Sequence, residues 1–344
     1  MSAAHAQPLP AWRDRPWSGV FPATLCPFHE DESIDEQGLH RYIVDVASVP
    51  GVEGVVCNGH TGEIMSLRPA ERVRVMEIVA AAVREANAAT GRSVKAITGV
   101  SAEGSHEAAD HAIAAREAGA DAILLMPPHH WIRFGRSAAT AVGFIADVAE
   151  TGVPIIIHQY PAWTKAGYTL SEMTEMVKLP EVVMVKMGTR DMARWRWDYE
   201  QLKAVAPEVS IVTCHDEFLL PTLLEGADGA LIGFAGFVPE LMVELVHAAL
   251  DGDLPRARKA GDMVAPLARI VYAFGEPGCG AHQRMKAARW LLGKFPGPTF
   301  RRPVRPLASD DIARIRQGLE ALGLECPVKP AETNGHAARR PVRV

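Results

Sequence analysis

The sequence predicts an α/β protein, a (β/α)8 barrel followed by three C-terminal helices. Three observations lead there. Eight short apolar runs are each followed by a run of helical periodicity. The apolar runs do not alternate with polar residues, as expected of strands buried on both faces in a parallel sheet. Several helices close on a glycine that leads directly into the next strand, as in Glu117-Ala118-Gly119-Ala120-Asp121 and Glu225-Gly226-Ala227-Asp228-Gly229. A doubly wound open sheet is the competing architecture. Its glycine fingerprint after the first strand is missing, and no break separates two half-domains.

In chain order, the first strand is read at 19–28 and its returning helix at 34–47. Strands follow at 52–58, 93–100, 122–126, 154–160, 182–187, 210–214 and 229–234, and helices at 69–89, 105–118, 137–150, 170–178, 192–205, 217–225 and 239–250. Three more helices are expected at 254–274, 281–293 and 309–322. In the last, Ser309 is the expected N-cap, and Ile312, Ile315, Leu319 and Leu322 mark one apolar face. The chain thus divides into a flexible N-terminal arm (1–17), the barrel (18–252), a C-terminal helical region (253–324) and a disordered tail (325–344).

Composition narrows the function. With 344 residues the chain can bury a large core, and its net charge of −5 comes without a basic stripe interleaved with aromatics, which argues against nucleic acid as a partner. No apolar run reaches membrane-spanning length. Pro8, Pro10, Arg13 and Asp14 interrupt the segment where a signal peptide would need an apolar core, so a cytoplasmic protein is expected. The five cysteines, Cys26, Cys57, Cys214, Cys279 and Cys326, form no CxxC pair and support neither a disulfide scaffold nor a zinc ribbon.

One lysine stands out. In Val182-Val183-Met184-Val185-Lys186-Met187-Gly188, alternation puts Met184, Lys186 and Gly188 on one face, so the amine points where a core belongs. Away from water and without a carboxylate beside it, an ammonium falls from its ordinary pKa of about 10.4 toward neutrality and becomes a nucleophile able to form a Schiff base with a carbonyl. Gly188, on the same face, is expected to leave room for the group attacked.

In a (β/α)8 barrel the active site collects at the C-terminal ends of the strands. The second strand ends in Cys57-Asn58-Gly59-His60-Thr61-Gly62-Glu63, a tight loop whose N–H groups and Thr61 hydroxyl can hold a carboxylate. The fourth ends in Pro127-Pro128-His129-His130-Trp131, the fifth in His158-Gln159-Tyr160-Pro161-Ala162-Trp163, and the seventh in Cys214-His215-Asp216.

These segments resemble the dihydrodipicolinate synthase and N-acetylneuraminate lyase family, the class I Schiff-base lyases. Gly59-x-Thr61-Gly62-Glu63 matches its G-T-T-G-E loop, Pro161 its Y-N-x-P segment, and Lys186 its imine-forming lysine about two dozen residues later. Pro22-Ala23 with Pro27-Phe28, the glycine-rich 226–239 segment and Lys286 in the C-terminal helical region also match. The resemblance implies a homotetramer built as a dimer of dimers, acting on pyruvate or another 2-oxo acid with no metal and no organic cofactor. It assigns Lys186 to imine formation, and Thr61, Gly62 and Ile232, at the end of the eighth strand, to substrate binding.

The chain departs from the family at several of these positions. The proton-shuttling tyrosine is His158, the first threonine of G-T-T-G-E is His60, and the tyrosine that in relatives reaches across a subunit boundary is His130, preceded by His129. Imidazoles can exchange protons near neutral pH, so a relay of histidines is expected in place of the tyrosines and threonine. Tyr160 offers an alternative phenol. The arginine that holds the second substrate's carboxylate is replaced by Trp163, and Trp131 lies on a neighbouring loop, which points to a partner more apolar or aromatic than aspartate semialdehyde.

Other readings stay open: a dehydratase or deaminase working through the same lysine imine, a metal enzyme ligated by His60, His130 and His158, and a non-catalytic protein that binds a 2-oxo acid.

Overall fold

The computed structural model describes residues 11–161, 164–272 and 280–329. Eight parallel strands, β1 (Gly19–Pro22), β2 (Gly54–Cys57), β3 (Lys95–Val100), β4 (Ala122–Leu125), β5 (Ile155–His158), β6 (Val182–Met187), β7 (Ser210–Thr213) and β8 (Gly229–Ile232), form one sheet in the order β1-β8-β7-β6-β5-β4-β3-β2. Parallel bridges Val20–Val52 and Ala23–Val56 join β1 to β2 and bring the sheet round into a barrel. The expected fold class is the one observed.

The helices are α1 (Glu36–Ser48), α2 (Pro69–Thr90), α3 (Ser105–Glu117), α4 (His130–Phe134), α5 (Ala138–Ala149), α6 (Leu170–Met176), α7 (Met192–Val205), α8 (Leu219–Leu224), α9 (Phe234–Phe237) and α10 (Pro239–Leu250), followed by α11 (Leu254–Tyr272), α12 (Ala281–Leu291) and α13 (Ser309–Ala321). The short α4 and α9 were not expected from periodicity, because a single turn leaves too few residues to show a period. The first strand also ends earlier than its apolar run. Beyond Pro22 the chain leaves the ladder, although Ala23 N–H still donates to the Ile232 carbonyl at 2.9 Å.

Two apolar layers organise the packing. Phe21, Val56, Ile97, Leu124, Ile156, Met184, Val212 and Leu231 fill the barrel interior, while the opposite strand faces join the helices in a larger outer core. Each fully buried side chain of this size contributes about 1.5–3 kcal/mol, so the inner plug gives the mouth a rigid floor.

The barrel's lower end corrects one expectation. A flexible arm was expected over 1–17, yet residues 11–17 pack against the barrel. Trp12 donates to Asp251 at 2.9 Å and lies 4.7 Å from the His247 ring, Arg15 pairs with buried Asp228, and Trp17 packs beneath the interior cluster. Two indoles and the paired Arg15 supply the burial that the alternating polar residues concealed. Of the tail read at 325–344, residues 330–344 lie outside the described residues.

Candidate active site

β6 lifts Lys186 out of the floor of the barrel. Met184 belongs to the interior cluster, and Lys186, two residues on, shares its face and reaches the mouth half-buried. Among the described residues it forms no hydrogen bond or ion pair. Burial lowers its pKa from the ordinary ammonium value, and only Cys214 and Asp216 nearby oppose the shift. Three other lysines are occupied: Lys286 pairs with Glu63 and donates to the Thr299 carbonyl, Lys178 pairs with Glu175, and Lys165 donates to the Arg133 carbonyl.

An imidazole and phenol cluster stands beside Lys186. The β5–β6 register pairs His158 directly with Lys186. The His158 ring lies 4.9 Å from Tyr160 and 5.5 Å from His60, and the Tyr160 hydroxyl is 3.0 Å from His60 Nε2. His158 Nδ1 is buried with no partner among the described residues. Burial, reinforced by Lys186, holds the His158 pKa well below the usual imidazole value and pulls His60 down to about 3. At neutral pH both rings are therefore neutral; His158 Nδ1 is without a partner among the described residues, and His60 Nε2 faces the Tyr160 hydroxyl. Burial likewise raises the Tyr160 pKa, so the phenol keeps its proton and serves as a donor.

His129 joins this cluster from the loop after β4, 6.1 Å from His60 and 6.4 Å from Tyr160. His130 does not join it within the chain. Its ring turns outward, with Nδ1 2.6 Å from Glu103 Oε2, because α4 begins there and neighbouring residues on a helix point in different directions. The alternative metal triad of His60, His130 and His158 is therefore not assembled in one chain. Among the described residues no group of three or more His, Cys, Asp or Glu side chains is arranged to hold a metal ion.

The loop after β2 sits opposite the amine. Asn58 and Glu63 adopt positive φ, at 51° and 59°, which curls the chain between them. Thr61 is buried, and the N–H groups of Thr61 and Gly62 donate to no group among the described residues. Paired N–H donors of this kind are able to hold an anion. The Glu63–Lys286 ion pair pins the loop to α12, where the Lys286 ammonium also lies 3.8 Å from the Phe300 ring centre.

Three expected positions play other parts. At Gly188 a Cβ would stand 2.3 Å from the Gln159 carbonyl, so the glycine lets the strand ends approach, and the space expected for substrate is occupied by backbone. Ile232 turns its side chain into the outer core. Trp131 is buried against Phe144 and Tyr168, with Arg136 over its ring, and so lies beneath the loops. Trp163 lies outside the described residues.

Tertiary structure gives partners to His215 and Asp216, named above only as the end of the seventh strand, and adds His282, which was not foreseen. Asp216 is buried and accepts from Phe234 N–H and the Tyr272 hydroxyl, both at 2.7 Å; burial raises its pKa. His215 stacks on Phe218 and lies 2.6 Å from the Thr189 carbonyl through Nε2, with its pKa pulled by burial to about 4. His282, on α12, is pulled to about 4 by burial and by the charges of Lys186 and Lys286. Its spacing four residues before Lys286, on one helix face, was the available signal.

Fold and site together define a (β/α)8 barrel whose mouth holds a lysine without a partner among the described residues, faced by neutral imidazoles and a phenol. A sequence profile of the dihydrodipicolinate synthetase family matches residues 16–322, and the chain belongs to that family. It is 29% identical over 301 residues to a 4-hydroxy-tetrahydrodipicolinate synthase of Methanothrix thermoacetophila, covering 88% of this chain and 95% of the relative. It is 30% identical over 303 residues to an N-acetylneuraminate lyase of Rhizobium meliloti, covering 88% and 94%. Among solved structures, a prophage protein of the dihydrodipicolinic acid synthase family from E. coli K12, in complex with pyruvate, shares the fold with a TM-score of 0.80 at 24% identity, covering 90% and 99%. Among the described residues no helix is long and apolar enough to cross a membrane.

Proposed function

We propose that this protein is a lyase or aldolase that forms a Schiff base between Lys186 and pyruvate or a related 2-oxo acid. The observation that carries this reading is the unpaired Lys186 amine, with its lowered pKa, set in register with His158. The substrate carboxylate binds the Thr61 and Gly62 N–H groups and the Thr61 hydroxyl. The neutral amine attacks C2, and the carbonyl oxygen takes the proton of the Tyr160 hydroxyl, which regains one from solvent, as the N–C bond forms. His158 accepts a proton from the nitrogen and returns one to the departing hydroxyl, which leaves as water. The resulting imine draws electrons from C3. Loss of a C3 proton gives an enamine that attacks the partner's carbonyl, and the reverse sequence cleaves the same carbon–carbon bond.

The partner is proposed to be more apolar or aromatic than aspartate semialdehyde. Tryptophan rather than arginine at position 163 supports this; buried Trp131 does not contribute. The assembly is proposed to be a homotetramer. Supporting it, α4 exposes Phe134 (72%) and Ile132 (44%) beside the His129-His130 segment, more apolar surface than one turn of helix normally leaves in water.

A screen of 2-oxo acids with borohydride, read by mass spectrometry of the labelled peptide, tests the reading. It expects a reduced adduct within the Lys186 peptide, and a screen without any adduct overturns it. Product analysis with the trapped acid then separates carbon–carbon cleavage from loss of water or ammonia, and trapping without turnover identifies a binding protein.

A further inference from the structure

We propose that the lower end of the barrel, away from the lysine mouth, is a second ligand site that takes phosphate, free or as the head of a small monoester. A cavity of about 420 Å3 lies there between the 12–18 turn and the residues that lead into β2 and β3. That volume is within the range of small-molecule sites, about 300–1,000 Å3. Its distinguishing property is a surplus of hydrogen-bond donors. Among the described residues the Ser18 hydroxyl is buried without a partner, and so is Arg15 Nε, whose guanidinium reaches Asp228 through Nη1 alone. The N–H groups of Trp17 and Ser18 have no acceptor among the described residues either. The Lys95 ammonium lies 5.1 Å from the Trp17 ring centre and, among the described residues, forms no hydrogen bond or ion pair.

The backbone explains why these donors are left over. Pro16 and Trp17 form the centre of a turn, and Trp17 stands at φ 68°, a left-handed conformation that glycine ordinarily takes at this position. The proline ring fixes φ near −65° just ahead of it. Opposite signs of φ at two successive residues turn the following N–H groups to one side, which makes a concavity suited to an anion. A bulky residue keeps this strained conformation because Trp17 packs beneath the barrel's interior cluster, which holds the turn in place. Ser18, which follows it, is only 4% exposed, so water does not compete freely for its two donors.

Charge around the cavity narrows the ligand. Arg13 and Arg15 are balanced by Asp251 and Asp228. Arg92 donates to the Ala47 and Val49 carbonyls at 3.2 and 2.7 Å and pairs with no carboxylate among the described residues, so it and Lys95 are cations without a counter-ion. The acids on the lining are Asp14, which is exposed, and Glu53, whose stem lies with the Trp12 ring against Gly19. Neither forms an ion pair among the described residues, and together they oppose a polyanion. A single phosphate group remains, because its three or four acceptor oxygens match the donors better than the two of a carboxylate. The volume admits a small organic remainder beside it. Phosphate sites of (β/α)8 barrels usually form at the other end, in the loops after the last strands, so this site is separate from the mouth.

The test is calorimetry on the full chain with glycerol 3-phosphate and with inorganic phosphate, joined to hydrogen exchange read by mass spectrometry. Saturable binding is expected, with exchange slowed in the peptide that holds Trp17 and Ser18. Lys95→Met and Ser18→Ala are each expected to weaken binding about tenfold, Lys95→Arg to retain it, and all three to keep the unfolding midpoint of the unligated parent. Tighter binding of the ester identifies a monoester as the occupant and equal affinities identify free phosphate, and both support the site. No saturable binding of either probe at about 10 mM overturns it. So does equal binding by the parent and Lys95→Met, or protection confined to the peptide that holds Lys186. None of these readouts passes through an imine, so the outcome stands apart from the reading of Lys186.

Discussion

His158 and Lys186 are cross-strand partners at the ends of β5 and β6, so an imidazole that is neutral at neutral pH sits beside the one unpaired amine in the described mouth. Under the proposed reading His158 shuttles protons during water loss, and His158→Phe preserves the ring's bulk while removing both nitrogens. Turnover is expected to fall by about two to four orders of magnitude with substrate binding retained. Steady-state kinetics decide it. A near-parent rate in His158→Phe, with a loss in Tyr160→Phe, assigns the shuttle to the phenol instead.

Lys186→Ala is expected to abolish borohydride trapping of any 2-oxo acid. Mass spectrometry that finds the adduct on Lys165, Lys178 or Lys286 rejects the assignment. The ion pair or carbonyl contact of each of these makes such a result unexpected.

Lys286→Met leaves Glu63 buried without its partner. Removing one member of a buried pair typically costs about 3–5 kcal/mol, so chemical denaturation is expected to show a loss of that order. Because Glu63 closes the Thr61-Gly62 loop, the variant is also expected to raise KM for the 2-oxo acid. An unchanged denaturation midpoint rejects the structural role.

His215 makes stability depend on pH. Its folded pKa of about 4 lies below the unfolded value near 6.5, so the unfolded chain binds the proton first and stability falls as pH drops through that window. Between pH 7 and pH 5 this residue is expected to remove on the order of 2 kcal/mol, and His215→Gln should flatten that part of the profile. Denaturant midpoints at the two pH values, equal in parent and variant, would contradict it.

Light scattering at micromolar protein is expected to give the mass of a tetramer. Phe134→Lys places a charge on the exposed face of α4 and should shift the population toward smaller species. A parent protein of monomer mass rules out the proposed assembly.

The sequence by itself determined the barrel. Eight apolar runs in βα order leave few ways to bury their faces, and the order of loop, lysine and glycine-rich segments marked the family. Strand parity placed Lys186 on the face of Met184, because a period of two leaves no freedom once one neighbour is in the core. Tertiary structure decided what surrounds that amine. Which of His129 and His130 faces inward depends on where α4 starts and on Glu103, a loop residue with no pattern of its own. Gly188 looked like space for a ligand because the Gln159 carbonyl that fills it belongs to another strand. His282 and the Glu63–Lys286 pair meet the mouth only through contacts between elements distant in the chain. Periodicity reports which face of an element is buried, and only packing settles which groups are buried against one another.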